Sequence, residues 1–120
     1  MSAMSPTVLI VDDHPSFRAT ARALLEAEGF VVVGEAANGA EALAEAEVLR
    51  PDVVLLDVQL PDLDGFEVAA RLTANGPALH VVLVSSHDVS DYGSLIERSG
   101  ARGFISKSDL SGAAVSALLP

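Results

Sequence analysis

The stretch Pro51-Asp52-Val53-Val54-Leu55-Leu56-Asp57 sets four consecutive apolar residues between a helix-stopping proline and a carboxylate. Such a run, without alternation, needs cover on both faces, which is the pattern of a buried strand in a parallel sheet. Similar runs occur at Val8 to Val11, Val31 to Val33, Val81 to Val84 and, more weakly, Gly103 to Ile105. The segments between them have helical period. Phe17, Ala21, Leu24 and Leu25 repeat at i, i+4, i+7 and i+8 after Pro15, whose fixed φ suits a first helical turn. Asn38 is placed to cap a second, alanine-rich helix running to about Arg50, where Pro51 stops it. Asp64 is placed to cap a third, which buries Phe66, Ala69 and Ala70 and closes at Gly76-Pro77. Val89, Tyr92, Leu95 and Ile96 mark a fourth helix, the most mobile of the set, because Gly93 within it costs about 1 kcal/mol relative to alanine. Leu110, Ala113, Ala114, Ala117 and Leu118 give a short fifth. Five β-α units in succession predict an α/β, doubly wound, flavodoxin-like fold: a five-stranded parallel sheet of order 2-1-3-4-5 flanked by five helices.

Composition narrows the function. Seventeen acidic against seven basic residues give a net charge of −10, which argues against direct nucleic-acid binding by this domain. Half of the 120 residues are hydrophobic, enough for the core of one domain and too many for a disordered tail. The expected organisation is a flexible leader over 1–6 and a single domain over 7–120. Without cysteine the chain has no disulfide framework, thiolate metal site or thiol nucleophile, and it is compatible with a reducing cytoplasm. Its apolar runs fall far short of the roughly 20 residues that cross a bilayer. Its leader has neither the positive nor the apolar region of an export signal. A cytoplasmic location without membrane contact is therefore expected.

The chemistry collects at strand ends. Asp12 and Asp13 follow the first strand, Asp57 ends the third, Ser85 ends the fourth and Lys107 lies just beyond the fifth. In an open α/β sheet ligands bind at that edge, where the winding reverses and the first and third strands lie side by side. Any one of these residues alone reads as a turn former, a cap or a solvated lysine. Five at one edge point to a site. Converging carboxylates raise one another's pKa unless a hard divalent cation neutralises them, and oxygen ligands with no cysteine and no histidine pair favour Mg²⁺. A magnesium ion that keeps several waters leaves positions for phosphoryl oxygens. Asp57 is then the candidate nucleophile that becomes an acyl phosphate, Asp12 and Asp13 hold the metal, and Lys107 and Ser85 each bond a phosphoryl oxygen. Asp62, Asp64 and Gly65 read as shaping the loop after the third strand and capping the next helix. His14, His80 and His87 lack ligand spacing. Phe17, Phe30 and Phe66 read as structural, and Phe104 as a core aromatic.

Asp12-Asp13-His14-Pro15, the stretch from Gly34-Glu35-Ala36 through Asn38-Gly39, and Pro51 to Asp57 with Leu60-Pro61 resemble a response-regulator receiver domain of two-component signalling. The resemblance covers Val8 to about Leu119. It implies that Asp57 takes a phosphoryl group from the phosphohistidine of a sensor histidine kinase, with Mg²⁺ held by Asp13 and Asp57, by Asp12 through water and by the backbone carbonyl of Gln59. It implies that Ser85 is the switch hydroxyl, that Phe104 turns inward with it, and that the face formed by the fourth helix, fifth strand and fifth helix repacks and can support a homodimer. Gln59 and His87, each two residues beyond a site residue, are expected to border the path of the hydrolytic water and to tune the lifetime of the phosphorylated state. Such a domain catalyses only its own phosphorylation and dephosphorylation. The opening motif and Val32-Val33-Gly34-Glu35-Ala36 are most similar to receivers of helix-turn-helix transcription regulators, so the expectation is a stand-alone receiver or one cut from a DNA-binding regulator. Ser108 stands where many receivers carry a cis proline, which predicts a trans bond here.

Three other readings stay open at this point. A Mg²⁺-dependent aspartyl phosphatase uses the same groups, but it needs a substrate pocket and an Asp-x-Asp after the first strand. A flavin or nucleotide binder of the same winding needs a phosphate loop where Asp12-Asp13 stands. The third is a non-phosphorylated interaction module of the same fold.

Overall fold

The computed structural model describes residues 5–74 and 79–120. The expected helix stop at Gly76-Pro77 and residues 1–4 of the leader lie outside the described residues. In chain order the elements are β1 (Thr7–Val11), α1 (Pro15–Ala27), β2 (Val31–Ala36), α2 (Gly39–Leu49), β3 (Val53–Asp57), α3 (Gly65–Ala74), β4 (His80–Ser85), a 3-10 turn (Val89–Asp91), α4 (Leu95–Arg98), β5 (Gly103–Ser106), a second 3-10 turn (Lys107–Asp109) and α5 (Gly112–Leu118). The sheet has the order β2-β1-β3-β4-β5 with all pairs parallel, as expected for the doubly wound fold.

Successive strand residues point to opposite faces, so the apolar runs feed two cores. Leu9, Val11, Val54, Leu56, Val81 and Leu83 pack with Ala42, Ala46, Val68 and Leu72 of α2 and α3. Val8, Ile10, Val53, Leu55, Val82 and Val84 pack with Ala21 and Leu25 of α1 and Val115 of α5. Every residue of β3 is buried, as expected of the central strand. β2 departs from the expectation of full cover: it is an edge strand, with Val31 48% exposed and a register irregularity against β1 that skips Val33. An edge strand has a neighbour on one side only, and here only Ala36 is buried.

The helices follow their caps. Asn38 Oδ1 accepts the Glu41 N–H at 2.8 Å, while the Glu41 carboxylate accepts the Ala37 N–H at 3.0 Å, a reciprocal arrangement at the start of α2. Arg50, left-handed at φ 49°, ends that helix just before Pro51. Asp64 Oδ1 accepts the Phe66 N–H at 2.8 Å and opens α3, as predicted. Asp62 has a different task from the one expected. It reaches across to the start of α2, where its two carboxylate oxygens accept the N–H groups of Gly39 and Ala40 at 2.8 and 3.0 Å. α1 is tied to β2 by Glu35, which receives the guanidinium groups of Arg18 and Arg22 at 3.0 and 2.9 Å.

Four expectations fail in detail. The fourth helix is a 3-10 turn and a single α-helical turn, separated around Gly93, whose φ is +56°. Glycine takes that left-handed conformation without a Cβ penalty, so the apolar period there does not make one continuous helix. The buried side of α3 is Val68, Ala69 and Leu72, while Ala70 faces solvent. In α5, Val115 carries the contact, while Ala113 and Ala117 are exposed, and Leu24 of α1 is 36% exposed. Among the described residues there is no cis peptide, so Lys107-Ser108 is trans as predicted.

Gly65 fixes the loop that follows Asp57. A Cβ there would lie 2.5 Å from the Asp57 carbonyl oxygen and from Val58 Cα, both backbone atoms that cannot swing away. Gly65→Ala is therefore expected to cost about 2–3 kcal/mol and Asn38→Ala about 1 kcal/mol, read from urea unfolding midpoints. A Gly65→Ala midpoint equal to that of the parent chain would show that this loop is free to move.

Candidate functional site

Because β1 and β3 run side by side with Val11 opposite Leu56, the residues that follow them, Asp12 and Asp57, emerge together at the carboxyl edge. Asp12 is fully buried and Asp57 is 3% exposed. β4 and β5 bring the other two residues to the same edge. Ser85 ends β4 one residue beyond Val84, the partner of Asp57, and Lys107 follows β5 directly.

Lys107 reaches back over the sheet. Its Nζ stands 2.6 Å from Asp12 Oδ2 and 3.2 Å from Asp57 Oδ2. The same Nζ lies 4.4 Å from the centre of the Phe17 ring, a cation–π contact that gives this helix residue a part in the site beyond the structural one expected. Asp57 Oδ1 accepts the Gln59 N–H at 3.0 Å, and Gln59 forms an isolated antiparallel bridge with Asp64. Asp12 Oδ1 accepts the His14 N–H at 2.8 Å, and Arg18 donates to the Asp12 carbonyl at 2.6 Å.

One set of ligand atoms from Asp12, Asp13, His14 and Asp57 lies within 4.8 Å of one another. The three carboxylates converge as expected. His14, set aside on spacing, joins them, its Nδ1 3.0 Å from Asp12 and 3.1 Å from Asp13. The signal for it was adjacency to the acidic pair rather than any ligand period. Asp12 Oδ2, although close to the ammonium of Lys107, is a buried oxygen without a well-formed hydrogen bond among the described residues. One ammonium against three carboxylates leaves two negative charges over when His14 is neutral. An oxygen-rich nest with that surplus and a buried oxygen so poorly aligned with its only partner among the described residues suits a hard divalent cation.

Burial pushes the Asp57 carboxyl up; the Gln59 N–H and the Lys107 charge only partly offset this, the Asp12 charge adds to it, and the net shift is upward. Burial also pushes Asp12 upward, but Lys107 and the hydrogen bonds from His14 outweigh it and hold Asp12 below the ordinary carboxylate value. Burial disfavours the charge on Lys107, yet the two aspartates hold it above the ordinary lysine value.

The switch candidates stand to one side of the acidic nest. Ser85, 1% exposed, shares a 2.7 Å hydrogen bond with the hydroxyl of Tyr92 and accepts the His87 N–H at 3.0 Å. Phe104 is half-buried, with its ring centre 5.6 Å from that of Tyr92, and Phe66 stands on the other side of Tyr92 at 5.2 Å. Sequence reasoning counted Tyr92 only as one apolar position of a helix. The side chains of Gln59 and His87 are exposed at the rim.

The lysine is the keystone of the charge balance. Asp12 is held low, so its contribution to stability is present above the ordinary carboxylate value and lost as pH falls through its folded value. Lys107 is held high, so its contribution is present below the ordinary lysine value and lost as pH rises through its folded value. Lys107→Met is expected to cost about 2–4 kcal/mol at neutral pH, between those limits, with the deficit shrinking on acidification as the freed aspartates protonate. Urea unfolding across pH measures this, and a deficit that grows in acid would contradict the pairing.

Comparison with known proteins agrees with this geometry. The family described as "Response regulator receiver domain" matches residues 8–114. The chain is 44% identical over 100 residues to the virulence-factor transcription regulator BvgA of Bordetella pertussis, covering 83% of this chain and 48% of that protein. It is 38% identical over 101 residues to the response regulator GacA of Pseudomonas aeruginosa, covering 83% and 47%. It thus spans about half the length of the curated relatives it matches. The signal receiver domain of the response regulator NarL from Mycobacterium tuberculosis superposes with a TM-score of 0.85 at 35% identity, covering 97% of this chain and 98% of that one. The chain belongs to the response-regulator receiver domains of two-component signalling.

Proposed function

We propose that Asp57 is the phosphoacceptor of this receiver and that residues 7–120 act as a single phosphorylation-driven switch. The observation that carries the reading is the buried Asp57 at the end of the central strand, paired with Lys107 and beside Asp12. A carboxylate oxygen of Asp57 attacks the phosphorus of a sensor kinase's phosphohistidine. The P–N bond breaks, the imidazole nitrogen leaves with the electron pair, and an acyl phosphate forms on Asp57. Asp13 and Asp57, with Asp12 through water and the Gln59 carbonyl, would hold Mg²⁺, which supplies charge neutralisation for the incoming phosphoryl oxygens. Lys107 passes from the carboxylate pair to a phosphoryl oxygen, and Ser85 bonds another, which spreads the charge of a loose transition state.

The added charge then redistributes contacts along α4, β5 and α5, the face through which two copies would pair, with Phe104 following Ser85. This domain would catalyse nothing beyond its own phosphorylation and dephosphorylation. Its output, by analogy with relatives named as transcription regulators, would be exerted through a DNA-binding partner segment rather than by the acidic receiver itself. Among the described residues no helix is long and apolar enough to cross a membrane, which accords with a cytoplasmic relay.

Incubation with acetyl phosphate and Mg²⁺ is expected to add one acid-stable, base-labile phosphoryl group, lost in Asp57→Asn. Labelling that survives in that variant would remove Asp57 from its role, and an unlabelled parent chain would favour a non-phosphorylated interaction module. Gln59 and His87 are exposed, and their backbone N–H groups bond Asp57 and Ser85 respectively. Exchanging both is expected to change the decay rate of the adduct by about tenfold, since one 1.4 kcal/mol change in barrier has that effect. Unchanged decay would free both residues from the hydrolytic path.

A further inference from the structure

The aromatic group beside the acidic nest contains one hydroxyl. Phe66 and Phe104 flank Tyr92 edgewise and at a tilt, and neither can hydrogen-bond Ser85. Tyr92 does so at 2.7 Å, from a segment in which few described side chains are buried. α4 is a single turn with no buried residue, Leu95 is 44% exposed, and Gly93 interrupts the backbone just after Tyr92. Among the described side chains, the seating of this segment on the sheet leans on the Tyr92 ring, its hydroxyl, and Ile96 against the core.

We propose that Tyr92 is a positioning residue that holds the Ser85 hydroxyl in the resting rotamer, so that phosphorylation must break the Ser85–Tyr92 hydrogen bond and thereby unseats the Val89–Arg98 segment. Ser85 Oγ is engaged by Tyr92 and by the His87 N–H. Whichever hydroxyl donates, turning Oγ toward a group on Asp57 means leaving one staggered well for another and abandoning both contacts. The His87 N–H, on an exposed residue, can pass to water. Tyr92 loses the polar anchor of its ring, and the turn it belongs to becomes free to shift. The inference rests on Asp57 being the phosphoacceptor and adds a competitor for the switch hydroxyl, supplied from the α4 side of the site.

The test uses acetyl phosphate and Mg²⁺ on the parent chain, Tyr92→Phe, Ser85→Ala and the double variant, with the Asp57 adduct followed by mass. Tyr92→Phe keeps the ring and removes the hydroxyl. It is expected to speed adduct formation about three- to tenfold, the worth of one neutral hydrogen bond, and to have no effect in the Ser85→Ala background. Tyr92 is the chain's single tyrosine and tryptophan is absent, so the near-ultraviolet tyrosine band reports on this one contact. The band is expected to shift on phosphorylation of the parent chain and to stay still in Ser85→Ala, where the bond is already missing. An adduct that forms without moving the band, or an acceleration that persists without Ser85, would overturn the competition while leaving Asp57 as the acceptor. No adduct in the parent chain would overturn the acceptor reading, and this inference with it.

Discussion

Two carboxylates, Asp12 and Asp57, are taken out of water at the ends of adjacent parallel strands and share a single ammonium. Burial of like charges is costly, and the separation in their ionisation behaviour shows how the cost is distributed: Lys107 and the His14 contacts favour Asp12, while Asp57 is left with the penalty. The surrounding architecture serves this arrangement. β3 is buried throughout and ends rigidly at Asp57, Gly65 presses the next helix onto the Asp57–Val58 backbone, and Phe17 lies beneath the Lys107 ammonium. A carboxylate that is uncomfortable as an anion but held in place suits the role proposed for Asp57, forming a bond that changes its charge and shape.

The lysine also moderates a simple electrostatic expectation. Three crowded acids need not await a divalent ion before they can coexist, because Lys107, and His14 when protonated, already offset part of the repulsion. What the protein's own charges leave unmet is the surplus, and the buried Asp12 oxygen that faces the ammonium without well-aligned hydrogen-bond geometry. These make the nest receptive to a cation without making the fold dependent on one.

Much of the fold was legible in the sequence, for reasons that differ by element. The runs at Val8 to Val11, Val53 to Leu56 and Val81 to Val84 are buried on both faces, and that demand leaves a composition that only a covered parallel strand explains. Asn38 and Asp64 acted as the caps they resembled, since a cap is a local hydrogen bond that few residues can make. The order 2-1-3-4-5 already set β2 at an edge, but its half-exposure was illegible in the run itself, because valines tolerate it. The broken fourth helix was misread because its apolar period persists across a left-handed glycine. At the site, residues at strand ends were found because topology alone gathers them. Those supplied by helices and turns, Phe17, Arg18 and Tyr92, were missed in these roles, since which face a short segment presents depends on packing that periodicity does not encode.

The carboxylate of Asp62 grips the first two amides of α2 from the loop that leaves β3. Its binding there holds the Asp62 carboxyl below its ordinary value, so the grip remains charged in neutral solution. This moors the loop beyond Asp57 to the β2 side of the molecule, whereas the opposite shore, around Gly93, has no comparable carboxylate grip among the described residues. A displacement that started at the nest would thus meet unequal resistance, and the asymmetry would give a message written at the centre of the sheet a direction in which to travel.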